Sequence, residues 1–240
     1  MMKLIHAITN SVNKKLVADL ILSLGHSVIM ADAPEETVEV TAQSDALLLN
    51  LGTPTRERYE AARRSAEKAL ECGLPYLLDP VGIGVSSFRR EHTRSLFHHY
   101  PPTILRGNQS ELISLSGADH SSLGVDASPF VDDHDADEAC LKLAKIATYV
   151  IMTGPTDRLC QGEEIRFIHG GSPYLRKVSG MGDCLDAFIL TQVLERGLSL
   201  GTLEQALVLF KEESEAAEKR SKGITEFTSL FLQSLLEETT

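Results

Sequence analysis

The sequence predicts an α/β protein of three layers, with helices on both faces of a mostly parallel central sheet and no separate lid domain. Three observations predict it. Short apolar segments of strand length alternate with amphipathic segments of helical length. The strand-like segments are apolar throughout rather than alternating, as strands covered on both faces are. Unusual polar clusters recur where those segments end, the edge at which such sheets gather ligands. A chain of 240 residues, 42% of them apolar, is read as one domain over 1–240 that buries a full core without staples.

Leu4 to Thr9 reads as the first strand. Val12, Leu16, Val17, Leu20, Ile21 and Leu24 then fall on one helical face, and Gly25 supplies the stop. Val28 to Met30 is a short strand, followed by a helix from about Pro34, whose ring suits a first turn. Ala46 to Leu51 is an apolar strand, and Thr55 to Cys72 a long charged helix closed by Gly73. Tyr76 to Leu78 leads into Asp79-Pro80, a glycine-rich turn and a helix reaching about Tyr100, on which His92, His98 and His99 face solvent. Thr103 to Leu105 is the next strand and Ser110 to Leu115 a short helix. Gly117 to Asp137 reads as a loop, and its run Asp132-Asp133-His134-Asp135 as a solvated acidic stretch rather than a metal site. A helix to about Ala147 and the strand Tyr149 to Thr153 follow. Gln161-Gly162 marks a turn, with a further strand through Ile165, Phe167 and Ile168. Beyond Asp183 three helices are expected, around Leu185 to Leu194, Leu203 to Arg220 and Phe227 to Leu236.

Acidic residues outnumber basic ones 34 to 23, for a formal charge of -11, which repels nucleic acid and anionic membranes. Any phosphate ligand must therefore be held by local geometry. Cys72, Cys140, Cys160 and Cys184 form no Cys-x-x-Cys pair, so neither zinc nor a redox pair is indicated. The start of the chain lacks a signal-like apolar run and no segment stays apolar for a membrane span, so a cytoplasmic location is expected.

The stretch from Lys177 to Phe188 carries the strongest chemical signal. It is read as an extended segment passing through Gly180 and Gly182 into an apolar helix that opens on Asp183. Glycines let backbone N–H groups approach an anion, and the helix dipole adds to the attraction. That environment suits a γ-phosphoryl group in transfer. An acid beside phosphate is repulsive unless it serves a purpose such as taking a proton from an attacking hydroxyl. Asp183 is accordingly read as a general base, with the N–H groups around Gly180 and Gly182 holding the phosphoryl charge. The plainer reading of the same residues is an ordinary capped helix start.

With these clusters in order, the chain resembles hydroxyethylthiazole kinases of the ribokinase-like fold. The resemblance rests on His6-Ala7-Ile8-Thr9-Asn10, Met30-Ala31, Asn50-Leu51-Gly52-Thr53, Asp79-Pro80-Val81-Gly82, Arg106-Gly107-Asn108-Gln109-Ser110-Glu111, Thr153-Gly154 and Val178-Ser179-Gly180-Met181-Gly182, and covers nearly the whole chain. It implies transfer of the ATP γ-phosphate, with magnesium, to the primary hydroxyl of 4-methyl-5-(2-hydroxyethyl)thiazole, in a homotrimer whose substrate pockets lie between subunits. By the same likeness Met30, Gly180 and Asn10 belong to the substrate pocket, and Arg106, Thr153 and Asn108 to the ATP site. Asp79 and Glu111 fall near the magnesium-phosphate group.

The chain also departs from that family. Many members have Cys where Asp183 stands, whereas an acid there is the pattern of the wider ribokinase-like group. Met181 is bulkier than usual, and Asp186 takes a position that is commonly uncharged. The first of these differences keeps pyridoxal-type and hydroxymethylpyrimidine-type alcohols open as substrates. A nucleotide-dependent dehydratase of hydrated nicotinamide cofactor and a non-catalytic ligand-binding protein are more distant alternatives.

Several of these residues have structural readings beside the functional ones. Asn108 and Glu111 have the spacing of a capping box. Asp79-Pro80 also reads as a turn, Arg106 as one half of an ion pair, and Met30 as core filling. His6 reads as a hydrogen-bonded core histidine, and Cys184 as a small buried apolar residue.

Overall fold

The computed structural model describes residues 2–117 and 132–237. Its elements alternate as expected: β1 (Leu4–Ile8), α1 (Lys14–Ser23), β2 (Ser27–Ile29), α2 (Thr37–Ala42), β3 (Ala46–Asn50), α3 (Arg56–Cys72), β4 (Tyr76–Asp79), α4 (Ser87–His99), β5 (Ile104–Asn108) and α5 (Gln109–Ser116). After the undescribed stretch come α6 (Asp133–Leu143), β6 (Tyr149–Thr153), β7 (Asp157–Gln161), β8 (Glu164–Ile168), a 3₁₀ turn (Pro173–Arg176), α7 (Met181–Arg196), α8 (Leu200–Arg220) and α9 (Ile224–Glu237).

The eight strands of the described residues form one sheet in the order β2-β1-β3-β4-β5-β6-β7-β8. All neighbours from β2 to β6 are parallel, and β7 and β8 continue the sheet antiparallel. Strand side chains alternate between the two faces. Ala46 and Leu48 join a core with α1, α7, α8 and α9, while Leu47 and Leu49 join the other with α3, α4, α5 and α6. This is the three-layer arrangement that the unalternating strands predict. No helix among the described residues is long and apolar enough to cross a membrane.

Local chemistry sets the element ends. The Thr55 side chain accepts from the Arg58 N–H to cap α3, and Gly73, at φ +65°, closes it in the left-handed region that favours glycine. His6 is fully buried and bonded by both ring nitrogens, to Thr41 Oγ1 at 2.9 Å and the Ala31 carbonyl at 2.7 Å. Burial lowers its pKa below 6.5. An unfolded chain thus binds a proton here that the fold refuses, so the stability His6 contributes is present above about pH 6.5 and is lost as pH falls from there. Thermal melting should drop between pH 7 and 5, with a shallower drop in His6→Gln; equal slopes would remove His6 from that dependence.

Several local expectations need correction. The helix expected from Pro34 begins at Thr37, with turns over 34–36. Val12 lies outside α1 and is exposed, because the Asn10 side chain holds the Val12 and Asn13 N–H groups in a turn. β5 runs on through Arg106-Gly107-Asn108, where charge and glycine masked a strand that pairs fully with β6. β7 carries Asp157 and Arg158, and its polar sequence hid it. Part of the loop expected over 117–137, residues 118–131, lies outside the described residues. Within the rest, Asp132 caps α6 and Asp133 and Asp137 pair with the buried Arg158, so the acidic run opens a helix. His98 and His99 are exposed as expected, but His92 is half-buried, stacked on Tyr59 at 4.7 Å and tilted against Phe88 at 4.5 Å. The segment before Gly180 is a 3₁₀ turn and bends, not a strand.

Candidate active site

Strand register places the site. Asn50 and Asp79 are partners at the carboxyl ends of β3 and β4, and Asn108 and Thr153 at the ends of β5 and β6. Asp183 reaches the same edge from the first turn of α7. The helix begins at Gly180, whose φ of +91° lets the chain turn sharply and whose missing side chain leaves no side-chain cap. A Cβ there would stand 2.8 Å from the Asn13 amide, and one on Gly182 2.4 Å from Arg106 Nη2. Both glycines therefore admit a polar side chain to the helix start.

Three amides hold the Asp183 carboxylate. Asn50 Nδ2 donates to Oδ1 at 2.7 Å; Asn10 and Asn13 donate to Oδ2 at 2.9 and 2.5 Å. An ionised carboxylate has about four acceptor sites, so about one is left for an incoming hydroxyl. The residue is 7% exposed and sits beside Gly182 and Arg106, both of which line a cleft of about 700 Å³. Thr153, Gly154 and Asn108 also line that cleft, with Leu185, Leu207 and Phe210 supplying apolar wall and Lys211 a charge. Lys211 is itself buried, donating to the Gly170 carbonyl at 3.0 Å and pairing with Asp157 at 3.2 Å.

Behind Asp183 lies a buried charge group. Arg106 donates through Nη1 to Asp79 Oδ2 at 2.9 Å, and its Nε stands 3.4 Å from Asp186 Oδ1. Asn50 also donates to Asp79 Oδ2. Asp79 Oδ1 and both oxygens of Asp186 have no hydrogen-bond partner. Burial, reinforced by the neighbouring Asp186 charge, raises the Asp79 pKa well above the usual range, with Arg106 opposing. Burial likewise raises Asp186 to about 7 against the pull of Arg106. For Arg106, burial favours loss of the proton, yet Asp186 and Asp79 outweigh it and the guanidinium stays charged. Cys184 is buried with its thiol pKa raised by burial and the Asp183 charge, as an inert apolar residue would be.

Glu111 is committed to backbone. Its Oε1 accepts from Gly82 N at 2.8 Å and its Oε2 from Asn108 N at 2.9 Å, while the Asn108 side chain accepts from Glu111 N. The capping box is therefore present and ties the β4–α4 turn to α5. The structure thus gathers Asp183, Gly180, Gly182, Asn10, Asp79, Arg106, Asn108, Glu111 and Thr153 at one edge. Of these, Arg106, Asn108, Thr153 and Gly182 line the cleft, whereas Asp183, Gly180, Asn10, Asp79 and Glu111 lie behind or beside its wall; Met30 does not line it either and follows β2 at the end of the sheet, half-buried against the core. Asn13 and Lys211 were missed. The spacing Asn10-x-x-Asn13 at a helix start was a usable signal, whereas nothing in the helical pattern around Lys211 marks it.

Gly182→Ala puts a methyl against the Arg106 guanidinium and forces it off Asp79. Misplacement of a positioning group by about 1 Å lowers turnover about 100-fold, so kcat/KM should fall on that order in steady-state assays. Retention of full activity would show that Arg106 moves freely.

With an uncapped helix start at the carboxyl edge of a mostly parallel sheet, the chain has a ribokinase-like α/β fold. A ribokinase-like superfamily protein from Enterococcus faecalis V583 superposes with a TM-score of 0.71 over 98% of this chain and 86% of that one, at 14% identity, a likeness of fold alone. The sequence is more specific: the hydroxyethylthiazole kinase family model matches residues 1–239, and the chain belongs to that family. A hydroxyethylthiazole kinase of Escherichia coli (strain SMS-3-5 / SECEC) is 35% identical over 237 residues, covering 98% of this chain and 89% of that protein. The structure of a hydroxyethylthiazole kinase protein from Pyrococcus horikoshii OT3 superposes with a TM-score of 0.85 at 27% identity, over 98% of this chain and 88% of that one.

Proposed function

We propose that this chain, as a single domain over 1–240, transfers the γ-phosphoryl group of ATP to the primary hydroxyl of 4-methyl-5-(2-hydroxyethyl)thiazole, a step of thiamine salvage. Membership of the family supports the substrate, and the amide-held Asp183 at an uncapped helix start supports the chemistry. The hydroxyl oxygen attacks the γ-phosphorus, the bond from phosphorus to the β–γ bridging oxygen breaks, and ADP leaves. Asp183 accepts the hydroxyl proton through its remaining acceptor site. N–H groups at the start of α7, from Gly180 to Asp183, face the charge spread over the equatorial oxygens. Arg106, Thr153 and Asn108 hold the nucleotide phosphates. Gly180, Asn10 and Met30 belong to the alcohol's side of the site.

Magnesium fits the residues present, because Asp79 Oδ1 is a buried carboxylate oxygen with no partner, a hard donor of the kind the ion takes. Asp79 would hold it directly and Glu111, whose oxygens serve backbone N–H groups, through water. Magnesium when bound neutralises phosphate charge and orients the triphosphate. Two exposed apolar residues near the β2 end of the sheet, Leu22 and Ile29, support a homotrimer. A cytoplasmic location accords with the four free cysteines.

Incubation with ATP, magnesium and hydroxyethylthiazole, with pyridoxal and hydroxymethylpyrimidine in parallel, tests the reading by mass spectrometry of the products. The expected result is thiazole phosphate and ADP in equal amounts. Preference for another alcohol would overturn the substrate, and ATP consumption independent of any alcohol would overturn the reaction.

A further inference from the structure

Asp79, Asp183 and Asp186 each place a carboxylate oxygen within 4.8 Å of the others. Oxygens on opposite sides of one magnesium or calcium ion stand about 4 to 5 Å apart, so one ion reaches across such a group. All three residues are at least nine-tenths buried, and their compensation is uneven. Asp183 has three amide donors, and Asp79 has Asn50 and Arg106 on a single oxygen. Among the described residues, Asp186 has the Arg106 Nε at 3.4 Å as its one nearby cation; the Asn50 amide and the Asp79 carboxyl also stand beside it, but neither of its oxygens has a well-formed hydrogen bond. Buried polar groups are ordinarily hydrogen-bonded, and each exception needs a physical reason. With a metal bound in place of their protons, these carboxylates outnumber the single Arg106 guanidinium and leave a net negative charge that a divalent cation would offset. Glu111 adds no free oxygen, since both of its own accept backbone N–H groups.

We propose that Asp186 and Asp79, with Asp183 at the rim, form a divalent-cation site of protein carboxylates alone, loaded before nucleotide arrives. Asp79 Oδ1 and the two Asp186 oxygens are the free donors, and Arg106 stays on Asp79 Oδ2. The inference deepens the kinase reading of the same site, because a cation held there meets the incoming triphosphate with positive charge where the acids would otherwise repel it.

The full chain, freed of nucleotide, is titrated with manganese chloride by electron paramagnetic resonance and with magnesium chloride by calorimetry, without ATP or alcohol. One ion per chain is expected, with affinity reduced at least about tenfold in Asp186→Asn, the loss typical when a group supporting a metal site is removed. Circular dichroism confirms that the variant is folded. Wild-type protein that takes up no ion, or an Asp186→Asn variant that binds as well as wild type, would overturn the site. Phosphoryl transfer by protein that binds no ion alone would remove this site and leave the kinase standing. Ion uptake without transfer to any alcohol would keep the site and remove the kinase.

Discussion

Asp183→Asn should lower kcat by about 10² to 10⁴, the usual range for losing a positioned general base, while the KM for ATP changes far less. The substitution keeps volume and removes the proposed proton acceptor. It also turns one oxygen into an amide facing the donors of Asn10, Asn13 and Asn50, so at least one of those side chains must flip. In the proposed site the triphosphate is held mainly by other groups: N–H groups at the start of α7, Arg106 and Thr153. Loss confined to kcat marks an interaction made in the transition state. Steady-state kinetics with the thiazole alcohol saturating would show it, and unchanged turnover would remove Asp183 from the proton transfer.

Arg106→Leu should be the most destabilising single change at the site. It leaves Asp79 and Asp186 buried side by side without their shared cation. Breaking one side of a buried pair costs about 3–5 kcal/mol, which for a chain of this size lowers Tm on the order of 10 °C. Adding Asp186→Asn should recover part of the loss, because the two changes act on one network and are not additive. Differential scanning calorimetry measures both. A single variant melting with wild type would mean that the acids are neutral without Arg106.

The contrast between these two side chains shows what the sequence made legible. The helix start that carries Asp183 was readable because its signal is local: two glycines, an acid and an apolar helix within a few residues. The parallel strands were readable for a similar reason, since Leu47, Leu48 and Leu49 in a row belong to a strand covered on both faces. β7 and the far half of β5 were not, because Asp157, Arg158 and Arg106 look like surface residues until their partners, Lys211, Asp137 and Asp79, are brought up from distant segments. The Asp186 cluster was opaque for the same reason. A charge one turn into a helix acquires meaning only when Arg106 and Asp79 arrive from neighbouring strands. Glu111 had two readings at one spacing, and the side-chain bonds to Gly82 and Asn108 establish the capping box. Asn13 needed the fold as well, since its amide reaches a residue 170 positions away.

The most direct measurement is a crystal structure of the protein with hydroxyethylthiazole and a non-hydrolysable ATP analogue. The alcohol oxygen should lie about 2.6–3.2 Å from an Asp183 oxygen, in line with the γ-phosphorus, with the triphosphate running along the α7 start beside Arg106. An alcohol oxygen bound out of reach of Asp183, or a triphosphate lying elsewhere than the cleft, would contradict the account.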